Sequence, residues 1–287
     1  MARETRVLAS GIKFGEGPRW HDGRLWLSDF YDHAVKSVSL AGDLRVEFEI
    51  DDQPSGLGWM PDGSLLVVSM TKRQVLRRTA AGKIALHADL SGIATFHCND
   101  MVVDAAGRAY VGNFGFDLGE QLAGKPVDPT PAKLALVAAD GSVSLAAADM
   151  NFPNGSMITP DGKTLIVGET FANHLTAFDI ASDGTLSNRR VWAETPGRAP
   201  DGACLDAEGC VWMANPLANE CVRFAEGGEV REVIDPGDNC YACMLGGEDG
   251  KTLFMLTAPA MTATDRPPGP QGRIVVAQVD VGRAGRP

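Results

Sequence analysis

The chain is short of aromatic residues, which make up 7% of its 287 residues, and it has only three tyrosines. It is also short of positive charge. Against 37 Asp and Glu stand 26 Lys and Arg, a net charge of −11 with a pI near 4.9. Neither figure suits nucleic acid or an anionic membrane, whose phosphates call for a basic patch. No run of 18 apolar residues is present, so no helix is expected to span a bilayer. Met1 to Ser10 lacks the apolar stretch of a signal peptide. Six cysteines (98, 204, 210, 221, 240 and 243) do not make a disulfide framework in a chain this long. A reducing, cytoplasmic compartment is the expected home. There is no G-x-S-x-G elbow and no phosphate-binding P-loop pattern. Cys240 and Cys243 form a CxxC without a second pair, and it opens a strand where a redox motif opens a helix. The cysteines therefore read as small buried residues.

What the chain does have is a repeated sentence. Pro153-Asn154-Gly155 leads through a strand to the turn Asp161-Gly162 and then to Leu165-Ile166-Val167. Glycine supplies the positive φ that such a hairpin turn needs. The same order recurs with turn glycines at 23, 63, 107, 162, 209 and 250, at steps of 40, 44, 55, 47 and 41. β units at a period of 40–50 residues spell a propeller. The expectation is one all-β domain over 1–287, a six-bladed β-propeller. Its blades span roughly 11–50, 51–95, 96–149, 150–196, 197–236 and 237–283, with an N-terminal strand at 5–10. Pairing that strand with a late strand at 273–281 would close the ring and remove open sheet edges. The tail, Ala284 to Pro287, reads as frayed.

Strand direction alternates within a blade. The start of each innermost strand and the connection between the second and third strands therefore share one face of the ring, which places function there. The longest such connection, Gly115 to Lys133, is a candidate lid. The residues entering the innermost strands are Glu16, Ser55, Asn99, Asn154, Asp201 and Cys240/Tyr241. Asn-Gly and Asp-Gly are ordinary turn formers when taken singly. Four acid or amide positions in matching register point instead to an oxygen-rich site at the channel mouth, of the kind that holds a divalent cation.

The motifs Gly15-Glu16-Gly17-Pro18, Asn99-Asp100, Pro153-Asn154-Gly155, Glu169-Thr170, Pro200-Asp201-Gly202 and Leu245-Gly246-Gly247 resemble the SMP-30/gluconolactonase/luciferin-regenerating-enzyme (LRE-like) family over nearly the whole chain. The resemblance implies a six-bladed propeller with one divalent ion (Ca2+, Zn2+, Mg2+ or Mn2+) in the channel. It implies that Glu16, Asn154 and Asp201 ligate the ion and that Asn99 contacts substrate or ligand water. The implied chemistry is opening of a lactone by activated water, with Asp201 as general base.

One departure bears on substrate. Sugar lactonases of the family carry an arginine where this chain has His97. Phe30, Tyr31, Met70, Phe96, Phe114, Phe116, Phe171 and Tyr241 fall at or near mouth-facing strand ends. The expected substrate is thus a lactone or similar ester more apolar than a sugar lactone. Asn99, His97, Asp117, Phe114, Phe116 and Phe171 are the candidate substrate contacts. The alternatives are a phosphotriesterase-like hydrolase and a non-catalytic ligand-binding propeller. The partner is a small molecule in the first two readings, with no role for nucleic acid or membrane, and the oligomeric state stays open.

Overall fold

The computed structural model describes residues 3–127, 130–259 and 270–287. Residues 128–129 of the long connection and 260–269 of the last blade lie outside them. Nearly every element is a strand, and the strands form six small antiparallel sheets. The first strand, β1 (Thr5–Ile12), precedes blade 1, which is β2 (Gly15–His21), β3 (Arg24–Asp29), β4 (Ala34–Val38) and β5 (Leu44–Glu49). Blade 2 is β6 (Pro54–Trp59), β7 (Leu65–Ser69), β8 (Gln74–Arg78) and β9 (Ile84–Asp89). Blade 3 is β10 (Cys98–Val103), β11 (Ala109–Asn113), β12 (Ala132–Val137) and β13 (Val143–Met150). Blade 4 is β14 (Pro153–Ile158), β15 (Thr164–Glu169), β16 (His174–Ile180) and β17 (Leu186–Glu194). Blade 5 is β18 (Ala203–Asp206), β19 (Val211–Asn215), β20 (Glu220–Phe224) and β21 (Val230–Ile234). Blade 6 is β22 (Cys240–Gly246), β23 (Thr252–Thr257) and β24 (Gly272–Gln278), with β1 as its outer strand.

The expected closure is therefore present: Thr5 pairs with Ala277 and Ile12 with Gly272. Two sequence features shape each blade. The inner strands are buried along their length, as in β10 and β14, while outer strands such as β5 and β13 are partly or fully exposed at nearly every position. Each inner strand packs on the next around the ring, and β22 against β2 completes it. Apolar side chains fill the wedges between blades, including Leu25, Trp212 and Phe254. Burial of apolar surface stabilises these wedges by about 25 cal/mol per Å².

The tail departs from expectation. Residues 284–287 are not frayed. A last strand, β25 (Arg283–Ala284), adds to the inner edge of blade 5, with Ala284 opposite Leu205. Arg286 and Ile158 then exchange backbone hydrogen bonds of 2.8 Å in both directions. The Arg283 and Arg286 guanidiniums donate to Trp20 O (3.3 Å) and Val103 O (3.4 Å), and Arg283 N donates to Gly250 O. The partners belong to blades 1, 3, 4, 5 and 6, at the ends of their inner strands or in the following turn. The tail thus crosses the channel on the face opposite the expected mouth.

Candidate active site at the channel mouth

Backbone irregularity aims the site residues inward. Five inner strands shift register at the same level: between Glu16 and Arg19, Pro54 and Leu57, Cys98 and Met101, Asn154 and Ser156, and Cys240 and Ala242. A bulge of this kind bends a strand and redirects a side chain. Glycine makes room for it. Gly155 has φ +34° and a Cβ there would lie 2.2 Å from Asp201 O, while Gly17 has φ +53° and a Cβ there would lie 2.7 Å from Ser55 O. A Pro-Asn-Gly or Gly-Glu-Gly motif is thus what lets neighbouring inner strands come close while the acid or amide before the glycine faces the channel.

Asn154 and Asp201 meet directly: Asn154 Nδ2 donates to Asp201 Oδ1 at 2.6 Å. Asn154 Oδ1 accepts from Gly155 N at 3.0 Å and keeps a second lone pair. Thr170 braces the pair, donating to Pro200 O at 2.6 Å and accepting from Asn154 Nδ2 at 3.4 Å. Glu16 Oε2 accepts from Gly17 N. Burial, then the charges of Asp201 and Asp100, push the Glu16 carboxyl well above the ordinary carboxylate range. Burial and, on the charge side, Asp100 raise Asp201 to about 8, against the lowering effect of the Asn154 hydrogen bond. Asn99 is 7% exposed, and its Nδ2 finds no hydrogen-bond partner among the described residues. A buried donor left unpaired costs free energy that a ligand oxygen can recover.

Beside these residues lie Arg19, which no motif in the sequence marks, and Asp100, which the sequence offers only as the second member of the Asn99-Asp100 motif. Arg19, from β2, is buried and donates to Leu57 O (2.9 Å), Pro18 O (2.7 Å), Met101 O (2.6 Å) and Asp100 Oδ1 (2.8 Å). Asp100 Oδ2 accepts from Ser156 N at 3.2 Å. The available signal was position alone: Asp100 follows Asn99, and Arg19 lies in an inner-strand stretch where charge is unusual. Ser55 and Cys240, the neutral members of the entry ring, are buried in the wall.

The candidate substrate contacts divide into groups. Phe30, Met70 and Tyr241 pack into the core with Phe14, which lies 4.8 Å from Phe30 and 4.5 Å from Tyr241 between ring centres; Tyr31 packs beside them. His97 stacks on Phe96 at 4.2 Å and faces Phe114 at 6.1 Å. Burial lowers its pKa, with Asp117 opposing, so the imidazole is neutral at pH 7. Phe114 continues to Phe152 (4.5 Å), which forms a triangle with Phe116 (6.0 Å) and Phe171 (5.3 Å), themselves 5.4 Å apart. Phe116, Phe152 and Phe171 line a pocket with Gln121, Val127 and Asn151. Phe152, with φ +60°, was not anticipated. The long connection is built rather than shapeless: α1 (Leu118–Leu122) is capped by Asp117, which accepts from Glu120 N at 3.0 Å. Asp117 thus has a structural task as well as proximity to His97.

All six cysteines are buried and unpaired as disulfides. Four of them, Cys204, Cys221, Cys240 and Cys243, share the core between blades 5 and 6. Among the described residues, no group of three or more His, Cys, Asp or Glu is arranged to hold a metal. The channel set is different in kind, two carboxylates with an amide. Its donors nonetheless fit a hard divalent cation: all are oxygen, two carry charge, and their proximity in a desolvated site is relieved by positive charge.

Fold and site together define a six-bladed propeller with two carboxylates, the half-buried Glu16 and the buried Asp201, where its inner strands begin. The chain belongs to the SMP-30/gluconolactonase/LRE-like family, whose sequence profile matches residues 14–259. It is 28% identical over 265 residues to pentonolactonase XacC of Haloferax volcanii, covering 88% of this chain and 84% of that one. It is 25% identical over 260 residues to regucalcin of Sus scrofa, at 88% and 85% coverage. The crystal structure of the calcium-binding protein regucalcin from Agrobacterium tumefaciens superposes with a TM-score of 0.82 at 22% identity, covering 100% of this chain and 97% of that one. Among the described residues no helix is long and apolar enough to cross a membrane.

Proposed function

We propose that this protein hydrolyses a lactone or similar activated ester with the help of one divalent ion, and that its substrate carries an apolar substituent. The observation that supports this most directly is the facing of Asp201, Asn154 and Glu16 at the mouth, with the orphaned Asn99 amide beside them. The name of the Haloferax relative, a pentonolactonase, supports the reaction class.

Glu16, Asn154 and Asp201 would hold the ion through their oxygens. Once bound, such an ion polarises an ester carbonyl and makes water a stronger acid. Asp201 accepts the proton of the attacking water on Oδ2, since Oδ1 is engaged by Asn154. The same bond fixes the carboxylate plane, so the base is already oriented when substrate arrives. Asn99 Nδ2 donates to an oxygen of the substrate or of the developing tetrahedral centre. His97, neutral and stacked on Phe96, offers a hydrogen bond but no charge to grip sugar hydroxyls. Phe116, Phe152 and Phe171 give the substituent an apolar wall, Phe114 stacks behind Phe152, and α1 flanks the wall through Gln121. Asp117 acts through α1 and His97 in this scheme.

The test is a panel of sugar, alkyl and aryl lactones and phosphotriesters, assayed on chelator-stripped protein with Ca2+, Zn2+, Mg2+ or Mn2+ added back and metal content measured. Metal-dependent turnover of lactones is the expected result. Turnover of phosphotriesters alone would point to the phosphotriesterase-like alternative, and specific binding without turnover to a non-catalytic propeller.

A further inference from the structure

The channel has two layers. The upper layer holds Glu16, Asn154 and Asp201. The lower layer holds the ion pair of Arg19 and Asp100, in which Nη2 and Oδ1 are 2.8 Å apart. Both side chains of the pair are more than nine-tenths buried. Each is held by further bonds, Arg19 by the carbonyls of Pro18, Leu57 and Met101, Asp100 by Ser156 N. Arg19 follows Glu16 by three residues on the same bulged strand, and Ser156 follows Asn154 by two. The pair therefore sits on the same inner strands as the ion-binding residues, two or three positions further along, and its bonds hold it there.

We propose that the Arg19–Asp100 pair sets the charge of the site and thereby its preference among cations of different valence. This rests on the metal-dependent reading above. Three carboxylates of Glu16, Asp201 and Asp100 with one guanidinium leave a formal −2, which a divalent ion neutralises. Asp100 alone would make the site −3 and suit a trivalent ion. Without Asp100, Arg19 would lower it to −1 and weaken the hold on every cation, most of all on those of higher charge. A buried pair is seldom retained for net stability, because desolvation offsets most of its attraction. A charge-setting role gives this pair a reason to be ionic. Arg19 and Asp100 are positioning residues here: neither touches the ion, and each acts through the field at the carboxylates.

The test is isothermal titration calorimetry of chelator-stripped protein with CaCl2 and with TbCl3, with folding checked by circular dichroism. The variants are Asp100→Asn, Arg19→Lys, Arg19→Met and the double Arg19→Met with Asp100→Asn. Coulomb energy scales with ion charge, so a change of about tenfold for Ca2+ corresponds to about thirtyfold for Tb3+. Asp100→Asn should weaken both ions by about those factors and lower the Tb3+ preference. Arg19→Met should raise that preference by a similar factor, and the double variant should return to native values. Arg19→Lys keeps the charge but loses the fork, so it should keep the native preference. If Arg19→Met does not fold, Asp100→Asn and Arg19→Lys carry the test. An unchanged Tb3+/Ca2+ ratio in Asp100→Asn, or an Arg19→Lys that departs from the native ratio, overturns the charge role and leaves the metal reading standing. Native protein that binds neither ion overturns both.

Discussion

Asn154 Nδ2 and Asp201 Oδ1, 47 residues apart in sequence, come within 2.6 Å across the join between blades 4 and 5. One amide thus orients the carboxylate proposed as both ligand and base, and substitutions at either position should be felt at the other. Glu16→Gln, Asn154→Ala and Asp201→Asn are each expected to reduce turnover by about 10²-fold or more, the usual scale for loss of an electrostatic group at the reacting centre. The ring is closed by β1 on β24 and does not need the ion to fold, so chelated protein should keep its far-ultraviolet spectrum with a modest fall in Tm. Full turnover after exhaustive chelation would sink the metal mechanism.

The raised carboxyls predict a pH dependence of stability in metal-free protein. Asp201 titrates near 8 in the folded chain, against about 3.9 for an unfolded aspartate. A group whose folded pKa is raised stabilises the fold below its unfolded pKa, and that contribution is lost as pH rises through the folded value. Burial lowers the pKa of His21, His87 and His97, which works in the opposite direction below about pH 6.5. The useful window is therefore pH 7 to 8.5. Calorimetry there should show the native chelated protein losing Tm relative to Asp201→Asn as pH rises, and saturating divalent ion should remove that pH-dependent divergence while raising the native Tm. Parallel Tm curves for the two proteins would mean that Asp201 is not desolvated in the folded chain.

The tail offers a separate test. Deleting residues 283–287 removes β25, the reciprocal Arg286–Ile158 bonds and two guanidinium contacts to other blades. Native protein should resist thiol reagents, because all six cysteines are buried. Cys204 sits beside Leu205, the residue opposite Ala284, so the truncated chain should label at Cys204 faster while keeping its fold. Labelling at the native rate would show that the tail does not shield the far end of the channel.

What could be read in the sequence follows from locality. The turn glycines and aliphatic strands repeat, so period, blade number and the register of Glu16, Asn99, Asn154 and Asp201 were legible. Closure was legible too, because Thr5 to Ser10 is a strand with no local partner. The tail was not. Ala284 and Arg286 are held by backbone bonds to Leu205 and Ile158, and no side-chain pattern records an inner-strand edge waiting for a partner. Arg19 was hidden for a related reason. An arginine normally reads as solvent-facing, and only the approach of Leu57, Asp100 and Met101 from two other blades gives its guanidinium a buried place. Phe152 escaped because a positive φ, invisible in the sequence, turns it toward Phe114 and Phe171.

Substrate preference follows from His97 and the phenylalanine strip. His97 replaces a cation with a neutral ring, while Phe116, Phe152 and Phe171 line the adjoining pocket. Each buried methylene contributes roughly 0.8 kcal/mol, so kcat/KM should rise a few-fold per added carbon until the pocket is full. Sugar hydroxyls entering the same space lose water without a charged partner, at a net cost. Alkyl or aryl lactones should therefore exceed gluconolactone in kcat/KM by at least about tenfold, or 1.4 kcal/mol of transition-state stabilisation. His97→Arg should narrow that gap by restoring a cation. Phe116→Ala and Phe152→Ala should narrow it from the other side, by weakening the apolar substrates and leaving gluconolactone nearly unchanged. Phe171, half exposed at the rim, should matter less than Phe152, which is buried. Side-by-side kinetics that place gluconolactone first would mean that the phenylalanines serve packing between α1 and blade 4 and that the substrate lies elsewhere over the channel.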